Sequence, residues 1–513
     1  MGDRPRADYW KSDTLSMTST DIMRMSRAVG ARVAASILVL IPCYWQSRIQ
    51  AGDLSSHVYN AWLAQLIERG QAAGLSLARQ SNNILFDLML SGLLRAFGPG
   101  PAQRMAVSCA VLVFFWGAFA YVRSCPLERS RKVPWHAALC LAMLAYGWVF
   151  HMGLFNFYIS LGLSFAALAL SRWHSRWGMA AAVPLLAIAY TAHALPVGWA
   201  VGALIYSWIS RSLAPRHRIL LFGGALASLG GLAVLLCARY RGEWAAGQLS
   251  ALSGAEQTWV FGVHYIPITV ALLGIWTLWF QRLLDRRGTV RTVLDIRFQL
   301  CLLSAASVVI IPGSVLLPGM HHTLNVMAER MSLATAVMFC GVAASLRPRR
   351  GEMVALAAIA AIFFGFIYAD ERALNRVETE MAALVRRIPS GQRVVSTLAE
   401  PNSRVNSLAH LIDRVCIGRC FSYANYEPST AQFRVRADRE NGIVVWQYSQ
   451  SWGIQAGGYL VESGNLPLYN IDLCNPGGRT LCITSLQAGA TLKNTWLPVG
   501  TVLGDWDHRH HWD

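Results

Sequence analysis

Within eight positions the sequence places an acid, an imidazole, a phenol and an amide: Asp53, His57, Tyr59 and Asn60. A carboxylate in such a cluster can take the proton from an attacking hydroxyl, and partial burial would raise its proton affinity toward the working range. The neighbouring imidazole, phenol and amide can hold the hydroxyls of a polar substrate. The alternative role for Asp53 is to cap the helix that starts near Ser55.

More polar side chains recur at the same ends of successive apolar runs. His57, His151, His193, His264 and the pair His321-His322 are joined there by Glu329 and Arg330, whereas His136, His174 and His217 fall at opposite ends. An ion at hydrocarbon depth costs roughly 2.5–3.5 kcal/mol, so this one-sided gathering predicts an outward-facing polar cavity. The run from His151 to Tyr158 reads as a break between two spans, with Gly153 loosening the helix and Asn156 offering its amide; a tight helical hairpin is the alternative. The tail Asp507 to Asp513 reads as solvated rather than metal-binding.

The elements that must position these residues follow from composition. Of 513 residues, 54% are hydrophobic and 14% charged, far from the soluble average of about a quarter charged. The apolar residues fall in runs of roughly 16 to 20, enough to cross about 30 Å of hydrocarbon as helix. The class is a polytopic α-helical membrane protein. A formal charge of +17 does not point to nucleic acid, because the excess sits in short loops and forms no contiguous basic face with interleaved aromatics. No cleavable signal peptide is expected before the first span, about Val33 to Ile49.

Residues 1–32, with Arg4, Arg6, Lys11, Arg24, Arg27 and Arg32, read as a cytoplasmic tail. Residues 51–103 form a first outer loop whose helical patterns, around Val58–Ile67 and Ile84–Phe97, suit two interfacial helices. Spans follow near 104–122, 134–150, 152–171, 178–192, 194–210, 219–237, 263–281, 298–316, 329–346 and 353–369. Arginine and lysine concentrate in alternate loops, at 123–132, 172–176, 211–218, 282–297 and 347–350. The excess of positive charge on cytoplasmic loops places these five inside. About eleven spans result, making 33–369 the transmembrane domain and 370–513 an extracytoplasmic α+β domain, the layout of a multi-pass cell membrane protein of the bacterial inner membrane type.

That last domain should open with a helix over 371–387, broken at Pro389-Ser390-Gly391. Strands are expected at 393–398, 433–435, 443–448, 468–473 and 481–484. Four cysteines allow three pairings in an oxidising compartment, and Cys416–Cys420 with Cys474–Cys482 is the expected one. Their spacing suits zinc poorly. The seven earlier cysteines read as small buried hydrophobes.

The first span followed by Asp53, His57, Tyr59, Ala64 and Gly70, then Asn82-Asn83-Ile84-Leu85-Phe86-Asp87, Phe97-Gly98 and Ala102-Gln103-Arg104, resembles the GT-C superfamily of membrane glycosyltransferases, in its protein O-mannosyltransferase and aminoarabinose-transferase branch. The likeness covers 33–122 best and the span layout to about 369 more loosely. It implies inverting transfer of a sugar from a polyprenyl-phosphate donor to a glycan, lipid or protein acceptor on the outer face, with Asp53 as general base. Arg330, Arg104 or Arg79 would neutralise the leaving phosphate, for which a guanidinium fork is suited. Tyr59, Asn60, Asn82, Asn83, Asp87, Asn156, Glu329 and the outer histidines would line the substrate site. Two departures are present: Asp53-Leu54 replaces the acidic pair of many relatives, and Ser81-Asn82-Asn83 stands where Lys-Pro-Pro is usual. These two departures count against a bound divalent metal, which stays the minor alternative, and leave the identity of the donor open. The competing classes are a lipid or solute transporter, which would need paired broken helices with ions at the midplane, and a non-catalytic cell-envelope assembly protein.

Overall fold

The computed structural model describes residues 19–125, 134–171, 176–321, 323–400 and 403–497. Most of the basic N-terminal tail, Arg129, Arg131, Lys132, Arg172, His174, His322 and the Asp507–Asp513 tail lie outside the described residues.

Helices dominate. In chain order they are α1 (Ser19–Leu40), α2 (Leu54–Glu68), α3 (Leu85–Phe97), α4 (Pro99–Ser124), α5 (Trp135–Ala145), α6 (Trp148–His151), α7 (Phe155–Ser171), α8 (Arg176–Ala192) and α9 (Ala194–Ser212). The series continues with α10 (Pro215–Tyr240), α11 (Ile266–Arg287), α12 (Thr289–Val293), α13 (Ile296–Ile310), α14 (Met327–Ala343), α15 (Arg350–Val385), α16 (Leu411–Cys416) and α17 (Tyr448–Ala456). Among the described residues four helical stretches are long and apolar enough to cross a bilayer: α4, α10, α11 with its preceding turn, and α15. The 26 residues of α4 or α10 reach about 39 Å at 1.5 Å per residue. The outward faces carry Leu220, Val234 and Leu235 on α10, Val270 on α11 and Val354 on α15, all exposed. A surface this apolar is one that lipid covers. Of the helices at the remaining expected spans, α7, α8 and α14 have 17 residues, α13 has 15 and α5 has 11, whereas α9 has 19 and α1 has 22 but ends at Leu40, short of the expected Ile49.

Local chemistry sets the helix ends. Pro99 and Pro215 open α4 and α10 at positions where no amide donor is needed. The Asp295 carboxylate caps α13 by accepting from Arg297 N at 3.0 Å. The core is densest where α4 crosses α7: a Cβ built on Gly117 would lie 2.0 Å from the carbonyl oxygen of Gly162. Only glycine lets two backbones approach so closely. The expected single span 134–150 is interrupted at Tyr146 and Gly147. There the chain gives Val149 N to the Gln257 side chain at 3.3 Å and presses Gly147 against the Gln257 backbone, so tertiary contact replaces helix continuity.

The strands are β1 (Leu75–Leu77), β2 (Arg393–Ser396), β3 (Leu398–Ala399), β4 (Phe421–Ser422), β5 (Val435–Ala437), β6 (Leu468–Leu473), β7 (Leu481–Ser485) and β8 (Thr495–Trp496). One sheet has the order β4-β2-β6-β7, with β2 parallel to both neighbours and β6 antiparallel to β7. β3 and β8 form a short parallel pair. Residues 443–448, expected as a strand, form none: Asn441 Oδ1 accepts from both Ile443 N and Val444 N at 2.9 Å. That side chain consumes the donors a ladder would need. The disulfides are Cys416–Cys420 and Cys474–Cys482, as expected. Of the other seven cysteines, Cys109 is exposed, Cys237 half-buried and the rest buried.

Two features tie the membrane helices to the C-terminal region. Helix α15 runs unbroken for 36 residues, about 54 Å, and so carries the chain through position 370 without a break. Its first part shows apolar residues outward, and its last part buries Asp370, Glu371, Asn375 and Glu378. The second tie is β1 of the first loop, which pairs antiparallel with β5 in register Leu75↔Ala437 to Leu77↔Val435. Helix α2, expected at a lipid interface, is instead buried along Leu54 to Ala61 and again at Leu63 to Gln65, because α3 and α16 cover it. Helix α3 is amphipathic, with Phe86, Leu90 and Leu94 buried and Leu88 and Phe97 exposed.

Candidate functional site

Asp53 is placed by its backbone. Gly52 N donates to His151 O at 2.6 Å and Asp53 N to Met152 O at 3.1 Å, clipping the start of α2 to the turn between α6 and α7. That turn needs Gly153 twice over. Its φ is +83°, and a Cβ there would lie 2.6 Å from Asp53 N. The carboxylate of Asp53 stands at the N-cap position of α2 but caps nothing, since the residue has helical backbone angles (φ −78°, ψ −8°) and makes no side-chain cap bond. The capping alternative is therefore excluded.

The side chain is 24% exposed and points toward His410, with Nε2 at 3.8 Å from Oδ1. The other ring nitrogen of His410, Nδ1, lies 3.2 Å from Asp413 Oδ2, and Ser422 Oγ donates to Asp413 Oδ1. Burial opposes charge on His410, but the bond and charge of Asp413, with Asp53 adding, raise the imidazole above its ordinary value. Tyr426 stacks obliquely on the same imidazole at 5.2 Å. From α14, Arg330 comes within electrostatic reach of Asp53, Tyr426 and Glu329. Its Nε and the Glu329 Oε2 are buried without a hydrogen-bond partner.

A second array lies one turn along α2. His57 Nδ1 is 2.8 Å from Asp87 Oδ1, and Asn156 Nδ2 donates to Asp87 Oδ2 at 2.9 Å while its Oδ1 accepts from Phe86 N at 2.8 Å. Ser56 Oγ donates to Glu427 Oε1 at 2.8 Å, and Asn425 Nδ2 to Asn60 Oδ1 at 2.8 Å. Burial alone would push His57 down, yet the charge and hydrogen bond of Asp87, with Glu427 and Asp53, lift it to about 10. Burial raises Glu427 to about 7 against the opposing pull of His57. Between Asn60, Asp87, Glu427 and Arg434 there remains a gap of about 10 Å³, room for one water.

The other expected site residues divide. Tyr59 is fully buried and its hydroxyl accepts from Ser422 N at 3.0 Å, so it anchors β4 and does not face the lip. Arg104 spends its guanidinium on the carbonyls of Gln46 and Ser47, at 3.1 and 2.8 Å. His193 caps α9, its Nδ1 accepting from Leu195 N at 3.2 Å, and burial pushes it down to about 3. Arg79 is exposed and Asn82 and Asn83 are half-buried, with Asn83 at φ 55° just before α3. His321 is exposed and touches the C-terminal region through its backbone, N to Thr430 O at 3.3 Å. His151 is wholly buried, with Nε2 3.5 Å from Glu371 Oε1, and His264 faces Asp370 at 3.1 Å. Both therefore meet α15 and not the Asp53 carboxylate. His322 lies outside the described residues.

His410, Asp413, Tyr426 and Glu427 were not anticipated. The available signals were the spacing His410-x-x-Asp413, one helical turn, and the polar run Asn425-Tyr426-Glu427. Among the described residues no three His, Cys, Asp or Glu side chains converge as a metal-ligand set. Comparison with protein-family models, curated proteins and solved structures returned no match.

Proposed function

We propose that this chain is a membrane glycosyltransferase that moves a sugar from a polyprenyl-phosphate donor to an acceptor hydroxyl on the extracytoplasmic face. The observation that carries this reading is Asp53: a partly exposed carboxylate, pinned by its own backbone, caps no helix, and meets His410 and Arg330 from two distant parts of the chain. A group held this way at no structural gain is what general-base chemistry requires. Asp53 takes the acceptor proton as the acceptor oxygen attacks the anomeric carbon from the face opposite the donor phosphate. The bond from that carbon to the phosphate oxygen breaks, its electron pair leaves with the phosphate, and configuration inverts. Arg330, whose Nε has no hydrogen-bond partner among the described residues, is a cation placed to meet that phosphate, whereas Arg104 is already committed to carbonyls. His410, oriented by Asp413, supplies a positive charge 3.8 Å from the base.

The proposed topology has eleven crossings with the basic loops inside and residues beyond α15 outside. Two disulfides in that region support the placement, because such bonds persist in oxidising compartments. The test uses the full chain in lipid vesicles supplied with a polyprenyl-phosphate hexose and an envelope glycan or lipid acceptor. Transfer by the wild type and none by Asp53→Asn, at equal melting temperature, is expected; transfer undiminished in the variant removes Asp53 as base. Mass spectrometry of co-purified lipid should find a polyprenyl-phosphate sugar.

A further inference from the structure

Beside the Asp53 lip, the C-terminal region encloses a cavity of about 300 Å³ between the β2–β3 segment, α16 and the stretch before β8. This is at the low end of the roughly 300–1,000 Å³ typical of small-molecule sites. Glu400, Asp413, Asn406, Asn494 and the hydroxyls of Ser396 and Ser403 are among its polar lining, with Leu398 and Ile412 supplying apolar wall. Among the described residues no lysine, arginine or histidine lines it. An anionic ligand would meet two carboxyl groups and no cation.

The cavity offers little to a cation either. Asp413 is already engaged by His410 and Ser422. Burial and the nearby Asp370 raise Glu400 to about 8, against the opposing bond from Ser403, so at neutral pH it mostly holds its proton. What remains is a set of neutral hydrogen-bonding groups. Three side-chain amides, Asn406, Gln455 and Asn494, line the cavity with the serine hydroxyls, and Asn494 is held there by its Nδ2, which donates to Gln455 O at 3.2 Å. A ligand with several hydroxyls and short aliphatic C–H faces satisfies both kinds of lining.

We infer that this cavity is a binding site for a neutral, hydroxyl-rich ligand of about monosaccharide size, which bonds the amides and hydroxyls of the lining, Asn494 among them, and is bracketed by Glu400 and Asp413. The cavity lies beside the Asp53 lip and shares with it Asp413, which bonds His410, and Ser422, which bonds Asp413. Binding is read without any transfer, so the inference stands or falls separately from the proposed activity.

The test is saturation-transfer NMR and titration calorimetry on the detergent-purified full chain with glucose, mannose, galactose and glucuronate. At least one neutral hexose should bind at millimolar concentration, and glucuronate at least about tenfold more weakly than that hexose, a difference of about 1.4 kcal/mol. Asn494→Leu, which replaces a lining amide with a bulkier apolar side chain, should abolish hexose binding. Glu400→Gln, of the same shape, should keep hexose binding and relax the exclusion of glucuronate above pH 8, where the wild-type carboxyl is ionised. The inference is overturned if none of the three hexoses binds the wild type, or if glucuronate binds as well as the hexoses. It is equally overturned if Asn494→Leu binds hexose undiminished. Melting temperature and the response of Glu400→Gln distinguish a lost site from an unfolded variant.

Discussion

Two arrays sit a helical turn apart on α2 and differ in one respect. Around His57, donor and acceptor are matched at 2.8–2.9 Å: Asp87 with His57 and Asn156, Ser56 with Glu427, Asn60 with Asn425. Around Asp53 the nearest cation is 3.8 Å away, Arg330 Nε and Glu329 Oε2 have no partner, and the carboxylate is partly exposed. A closed network in a low-dielectric setting rigidifies, whereas an incomplete one stores cost that a substrate can relieve. On the proposed function, the His57 array is scaffold and the Asp53 array is the working surface. Both are built by the same first loop lying under the C-terminal region.

The largest expected effect separates the two arrays directly. Asp53→Asn should lower transfer by about 10²- to 10⁴-fold, the usual worth of a positioned base, with melting unchanged. Asp87→Asn should do the reverse, leaving a buried imidazolium unpaired at a cost of roughly 3–5 kcal/mol, read as a large drop in melting temperature. If Asp87→Asn melts normally and only activity falls, the division between scaffold and working surface is wrong. Gly153→Ala should push Asp53 out of position, because the added Cβ meets Asp53 N at 2.6 Å. Transfer should then fall by about 10²-fold, as small misplacements can cause, and Gly153→Ala at wild-type activity would break the link between that turn and the base.

A pH series sharpens the same contrast. His57 is raised from 6.5 to about 10 on folding, so its contribution is complete below pH 6.5 and is lost as pH rises through 10. Glu427 is raised from 4.5 to about 7, so its ionisation opposes folding progressively from pH 4.5 to 7. Both signs predict a higher melting temperature near pH 5 to 6 than near pH 10, and His57→Gln should flatten the alkaline fall. The smallest effect is Tyr59→Phe, which removes one bond to Ser422 N and should cost about 1 kcal/mol, with transfer unaffected.

Much of the membrane part is legible in sequence because an apolar run needs no partner to reveal itself. α4, α7, α8, α10 and α14 lie close to where runs of apolar residues predict them, and loop arginines mark their ends. The break near Gly153 and the role of Asn156 as an amide at that break are likewise readable. Helix α2 is not: its pattern suits a lipid interface, and Ser56, His57 and Asn60 are buried because α3, α16 and the segment Asn425–Glu427 close over it. Tyr59, Arg104 and His193 have the chemistry of a binding site, but their partners are backbone groups that sequence cannot locate.

The sequence by itself determined the helical membrane class, the disulfide pairs, and the acid that follows the first apolar run, since each depends on composition or on short separations along the chain. The tertiary structure alone decided what surrounds that acid. His410 lies 357 positions beyond Asp53 by numbering, and β1 reaches across 360 positions to β5. Contacts over such separations leave no periodic trace, because they are fixed by how the C-terminal region closes over the first loop and not by any local preference of either segment.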